Sequence, residues 1–396
     1  MWLNELSIVL PDRVLEHGAL RIEYGKIAEI IEGPAPVHAP SLHGLICLPG
    51  IIDLHGDMLE RDIEPRPGAR FPTDIGILEL DKRHACTGIT TAFAAIGFSW
   101  SKDDLRSQEN ATILINAIHE MRDQLLTDVL VHARFEIGNH TTVPILRGLL
   151  EQGKVHLLSI MDHTPGQGQY KSIDKYLQFM HKWLGGGDIM PDESVMARMK
   201  ARIEEEAQKP RDWSVVEEIA EVAHRFGIPL AAHDDDTLEK VRRQAEMGFS
   251  ISEFPVTMEA AQEARGRGMH VIMGAPNAYR KRSTSDNLSA WDAVVANLAN
   301  ILATDYFPAA PLHAAFRFAD EGALPLHESV KLIAQNPAEA MGMTDRGRIA
   351  VGLNADLVLV EPSKPHRVRG TIRNGMPIYW DVHLARLARV STLLSV

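Results

Sequence analysis

Gly50-Ile51-Ile52-Asp53-Leu54-His55-Gly56-Asp57 is a short apolar run that ends in ligand-type polar residues. A strand with an apolar body and polar C-terminal residues fits a parallel sheet covered by helices on its faces. Seven more runs repeat the pattern, at 88–95, 129–136, 155–163, 228–233, 251–255, 270–275 and 301–305, with helical stretches between them. Eight such strands predict an α/β fold, a (β/α)8 TIM-type barrel. The connection after the fourth run is long, and its patterns over 176–184, 193–208 and 213–226 predict an extra helical insertion near 170–226.

Outward from this barrel the grammar changes. Residues 6–10, 19–24 and 27–31 alternate short apolar runs with Pro11-Asp12 and Gly25-Lys26, which is hairpin patterning. It returns in 348–352, 355–360 and 371–379 around Asn374-Gly375. Each end alone has too few strands to bury a face. A small β-sandwich built from both termini is therefore expected, with residues 1–50 and 346–396 flanking a barrel over 51–345.

The 396 residues are 45% hydrophobic and 24% charged, ordinary proportions for a chain that buries a large core. The net charge of −12 comes without any basic run, which argues against a general nucleic-acid or anionic-membrane binder. No apolar run reaches the roughly 18 residues that cross a bilayer, and the N-terminus lacks the basic flank and apolar stretch of a signal peptide. A cytoplasmic location is expected, and a homo-oligomer. Cys47 and Cys86 are the only cysteines, too few for a disulfide framework or a thiolate zinc site. Any metal must be held by histidines and carboxylates.

Barrel enzymes carry their chemistry where the strands run out, so the last residues of each run matter most. They are His55 and Asp57, then Glu136, Asp162-His163, His233-Asp234 and Asp305. A single histidine is more often a satisfied core or surface residue. Five strands ending this way would bury costly carboxylates unless they were paired or metal-bound. Imidazole and carboxylate ligands suit zinc, manganese or iron. His55, Asp57, Glu136, His163, His233 and Asp305, six candidates in all, exceed the needs of one tetrahedral ion and predict two divalent ions, with Glu136 as the bridge and Asp305 as both ligand and base. His140, in Gly138-Asn139-His140, is a further candidate for reaching substrate.

Pro49-Gly50-Ile51-Ile52-Asp53-Leu54-His55 between β-rich ends resembles the amidohydrolase superfamily. The resemblance narrows with Asp57 and 65–72 (Pro-Arg-Pro-Gly-Ala-Arg-Phe-Pro), Met161-Asp162-His163-Thr164-Pro165-Gly166-Gln167, Ala232-His233-Asp234, Met273-Gly274-Ala275-Pro276-Asn277 and Thr304-Asp305-Tyr306. These blocks are similar to the PhnM-type branch, whose members hydrolyse a ribosyl-methylphosphonate triphosphate and release pyrophosphate. The resemblance implies metal roles for His55, Asp57, Glu136, His163, His233 and Asp305. It departs at Arg280-Lys281-Arg282-Ser283-Thr284-Ser285-Asp286-Asn287, where the branch typically has Arg-Gly-Gly-Ser-His-Ser-Gly-Asn, and at Leu80-Asp81, where it often has His-Asp.

Arg66, Arg280, Lys281, Arg282 and Asn277 are the residues expected to meet substrate, together with His140. Cations in the loops after the first and seventh strands of an acidic protein suit an anionic small molecule, although each alone reads as a solvated loop residue. The run Gly185-Gly186-Gly187 lacks Walker lysine spacing and a preceding strand, so it reads as a linker. Two other readings compete with phosphoanhydride hydrolysis. One keeps the metals but cleaves a C–N bond, as in an N-acyl amino acid, a cyclic amide or an amino-purine. The other is a non-catalytic scaffold, which predicts lost ligands.

Overall fold

The computed structural model describes every residue except 38, 67, 99–104, 165–167, 169–172, 174–176, 178–191, 209–210, 284–286 and 387–396. The predicted 176–184 helix apart from Leu177, the glycine run 185–187 and part of the 280–287 loop thus lie outside the described residues. Strands β1 (Trp2–Val9), β2 (Val14–Glu23), β3 (Lys26–Glu32) and β4 (Ile46–Pro49) precede the barrel. The barrel strands are β5 (Ile51–Gly56), β6 (Ile89–Gly97), β7 (Asp128–Glu136), β8 (Leu157–Met161), β9 (Leu230–His233), β10 (Ile251–Glu253), β11 (His270–Gly274) and β12 (Ile301–Ala303). Strands β13 (Leu357–Glu361), β14 (Arg367–Arg373) and β15 (Met376–Trp380) follow.

The eight central strands pair side by side in sequence order, from β5 to β12. A single parallel bridge, Gly56 with Asp305, joins the last strand to the first. There the Asp305 N–H donates to the His55 carbonyl at 2.8 Å, and the Asp57 N–H to the Asp305 carbonyl at 3.0 Å. The barrel is closed by this seam.

Several of the helices begin at a side-chain cap. The side chains of Ser107, Asp212, Thr237, Thr257 and Ser289 each accept a first-turn backbone N–H, satisfying a donor that the helix leaves unpaired. Among the described residues, helices Glu193–Ala207 and Trp213–Arg225 lie between β8 and β9, within the expected insertion.

The terminal strands form one continuous seven-stranded mixed sheet, in the order β15-β14-β13-β4-β1-β2-β3. The sandwich expected from both ends is realised as this single sheet, because β4 pairs with β1 on one edge and β13 on the other. Leu3, Leu6, Leu20, Cys47, Leu357 and Ile372 share its buried cluster.

Inside the barrel, Ile52, Leu54, Phe93, Leu130, Leu157, Ala231, Ile251, Ile272 and Ile301 form a dry apolar layer. Alternation places the residue two further along on the same side. For several strands that residue is polar: His132 after Leu130, Ser159 after Leu157, His233 after Ala231 and Glu253 after Ile251. An apolar floor thus carries a polar storey above it.

Candidate active site

β5 delivers His55 through a register irregularity between Asp53 and Gly56. The following Gly56 has no room for a side chain, since a Cβ there would stand 2.9 Å from Asp53 Oδ2 and 3.1 Å from Thr304 Oγ1. Asp53 is wholly buried and ties the first strand to the last. It accepts the Thr304 N–H at 2.8 Å, the Thr304 hydroxyl at 2.6 Å and the His55 N–H at 3.3 Å. Burial pushes its carboxyl up, against the pull of these donors.

Glu253, wholly buried, lies between two of the predicted ligands. Its Oε1 is 2.8 Å from His55 Nδ1 and its Oε2 is 2.8 Å from His233 Nδ1. Burial disfavours its charge, yet His55 and the hydrogen bonds from the His233 and His55 rings outweigh that and hold the carboxyl well below the usual range. The Phe254 ring packs edge-on to both imidazoles, with centroids 4.9 and 5.4 Å away.

On the next strands His163 Nδ1 and Glu136 Oε1 form a close pair, and the His163 N–H donates to Glu136 Oε2 at 3.3 Å. Burial opposes a charged His163 ring, but Asp234 and Glu136 overcome it and push the pKa up to about 9. Asp234 Oδ2 lies 3.5 Å from His163 Nε2 and 3.6 Å from His233 Nε2. That oxygen is buried and makes no hydrogen bond. Asp305 stands near Asp57; burial and the Asp57 charge push its carboxyl up to about 6. A Cβ on Gly274 would come within 3.2 Å of Asp305 Oδ2, so a glycine there leaves that carboxylate its space.

The donor chemistry fits a divalent cation. His163, His233 and Asp234 offer ligand atoms within 4.8 Å of one another, as do His55, His132 and Glu253. Carboxylates from Asp57, Glu136, Asp234 and Asp305 crowd one mouth, where the buried Arg134 is the cation that acts on several of them. Its Nη2 is 3.5 Å from His233 Nε2. Both Glu136 oxygens face His163, so the bridging role read from the sequence requires that contact to give way when ions bind.

The expected substrate residues are dispersed. Arg280 reaches the Tyr306 hydroxyl at 3.2 Å, beside Asp305, and Asn277 carries a buried, unbonded Oδ1. Lys281 instead lies 3.9 Å over the Trp291 ring and pairs with Glu321. Arg66 and Arg282 are exposed. His140 is half exposed, 4.0 Å from Asp212, and meets none of the strand-end ligands in a hydrogen bond or ion pair. Asp162 is paired with Arg211 at 3.0 Å.

Sequence reasoning missed Glu253, His132, Arg134 and the place of Asp234. His132 and Arg134 were detectable, because they alternate with Glu136 along one face of a strand. Glu253 was hidden by the apolar Phe254-Pro255-Val256 that follows it. Phe254 takes φ 53° and ends the strand at Glu253, two residues before the expected end at Pro255. Asp234 at φ 56° and Asp305 at φ 54° also leave their strands through the left-handed region, which aspartate adopts more readily than most non-glycine residues.

The amidohydrolase family profile matches residues 191–379. The chain is 36% identical over 373 residues to the alpha-D-ribose 1-methylphosphonate 5-triphosphate diphosphatase of Escherichia coli (strain K12), covering 92% of this chain and 96% of that one. In fold it is similar to a Xaa-Pro dipeptidase with bound methionine (TM-score 0.64, 14% identity, 96% and 99% of the two chains). It is also similar to the N-acetyl-D-glucosamine-6-phosphate deacetylase of Mycobacterium smegmatis (TM-score 0.62, 16% identity, 96% and 100%). With a barrel of this kind and a diphosphatase relative matched along nearly its whole length, the chain belongs to the amidohydrolase family.

Proposed function

We propose that the protein is a metal-dependent hydrolase of a phosphoanhydride, acting on a ribosyl phosphonate triphosphate and releasing pyrophosphate. The observation that carries this reading is the 36% identity to the diphosphatase across 92% of the chain. Two divalent ions, zinc by first choice, would be held by His55, Asp57, Glu136, His163, His233 and Asp305. When bound they neutralise phosphate oxygens and acidify water. Asp305 takes the proton of the attacking water, as a carboxylate at the end of the last strand within reach of that water can. Arg280, held toward Tyr306 beside Asp305, and Asn277 meet the anionic end of the substrate.

The test loads metal-free protein with zinc, counts the ions by elemental analysis and assays pyrophosphate release from the triphosphate. Two ions per chain and pyrophosphate as product are expected. Saturation at one ion in active protein overturns the two-ion site, and turnover of N-acyl amino acids without turnover of the triphosphate overturns the substrate.

A further inference from the structure

The group His55, His132 and Glu253 has the composition of a metal site, but its hydrogen bonds argue otherwise. His132 Nδ1 is 3.1 Å from the Leu54 carbonyl, which can only accept, so that nitrogen carries the proton. Its Nε2 is left to accept from the Ser159 hydroxyl at 2.9 Å. Burial lowers this ring's pKa to about 3, in keeping with a neutral imidazole whose two nitrogens are both engaged. His132 therefore has no lone pair to give. Glu253 has likewise committed one oxygen to each of two imidazoles, in a position with no exposure.

Those two imidazoles belong to different halves of the mouth. His55 shares the seam with Asp57 and Asp305, whereas His233 is grouped with His163 and Asp234. In each ring the Glu253 contact takes Nδ1 and not Nε2; the His233 Nε2 has Arg134 Nη2 at 3.5 Å and Asp234 Oδ2 at 3.6 Å. Carboxylates that hold the far nitrogen of a ligating histidine fix its tautomer and orientation and raise its basicity.

We infer that Glu253 is a positioning residue shared by both ion sites, one carboxylate setting His55 and His233 together as Nε2 ligands. The inference rests on the two-ion reading above. Its consequence is linkage: losing this single side chain weakens both ions at once, where losing a direct ligand weakens mainly its own.

The experiment titrates zinc into metal-free parent, Glu253→Gln and Glu253→Asp protein against a chromophoric chelator. Cobalt-loaded samples supply ligand-field spectra. A Gln amide can accept from only one ring, and Asp is a methylene short of spanning both. Each variant should bind two ions, both roughly 10–100-fold more weakly, with shifted cobalt bands. Glu253→Asp keeps the buried charge, so it carries the test if Glu253→Gln does not fold. Parent-like affinities and spectra overturn the inference, and so does loss of one ion with the other unchanged, which would make Glu253 a ligand. A parent protein that binds no ion overturns the two-ion reading itself, and this inference with it.

Discussion

Replacing Thr304 by Val tests the tie that holds Asp305 in register. Thr304 is fully buried, and valine keeps its shape while removing one hydroxyl. That hydroxyl has one proton and two acceptors in reach, Asp53 Oδ2 at 2.6 Å and the His55 carbonyl at 3.2 Å; the shorter contact takes it. The substitution leaves Oδ2 of a wholly buried carboxylate without that donor, which costs about 1–3 kcal/mol. The sign of the pH dependence follows. Asp53 is already raised by burial, so its protonated form favours the fold at low pH and that contribution fades as pH rises through its folded value. Removing a donor to the carboxylate raises the folded value further, so the variant's deficit should be full near neutrality and shrink toward about pH 4. Urea unfolding of metal-free protein at both pH values measures it, without stabilisation by bound ions. A deficit below about 0.5 kcal/mol at neutral pH, or one that grows on acidification, would refute the reasoning.

Asp305→Asn should keep most of the metal while kcat falls roughly 10²–10⁴-fold, as expected for a general base; a parent-like kcat by steady-state assay removes that role. Arg280→Ala should raise KM for the anionic substrate in a salt-dependent way. Lys281→Ala should leave KM alone, because its ammonium is held by Glu321 and Trp291; the opposite ranking would reassign the substrate contact. His84 is buried with neither ring nitrogen bonded, and burial, then Arg83, lowers its pKa to about 3. Its stabilising effect is complete above the unfolded value near 6.5 and is lost as pH falls toward 3. The loss is about 2 kcal/mol by pH 5, so melting curves of His84→Leu should lose less stability than the parent between neutrality and pH 5.

The barrel was legible because eight short apolar runs alternated with helical stretches, five of them ending in ligand-type residues, and the structure keeps all eight in sequence order. His55, His163 and His233 were legible for the same reason. The other partners were not, because short strands end by backbone conformation as well as by polarity. Phe254 looks like strand continuation, yet its left-handed turn makes Glu253 the last strand residue. The cations failed for a different reason. Lys281 is claimed by Glu321, forty residues further along the chain, just past the end of a helix whose packing no local pattern announces.

The seam between β5 and β12 gives the barrel a clasp. Other neighbouring strands share several ladder pairs, but this joint has one bridge, at the residue that carries Asp305. A ligand gripping His55 or Asp57 together with Asp305 fastens the hoop as well as reacting in it. Stripping that ligand should loosen the hoop at one point, so amide exchange at Asp57 and Asp305 should quicken before the ladder between β6 and β7 gives way.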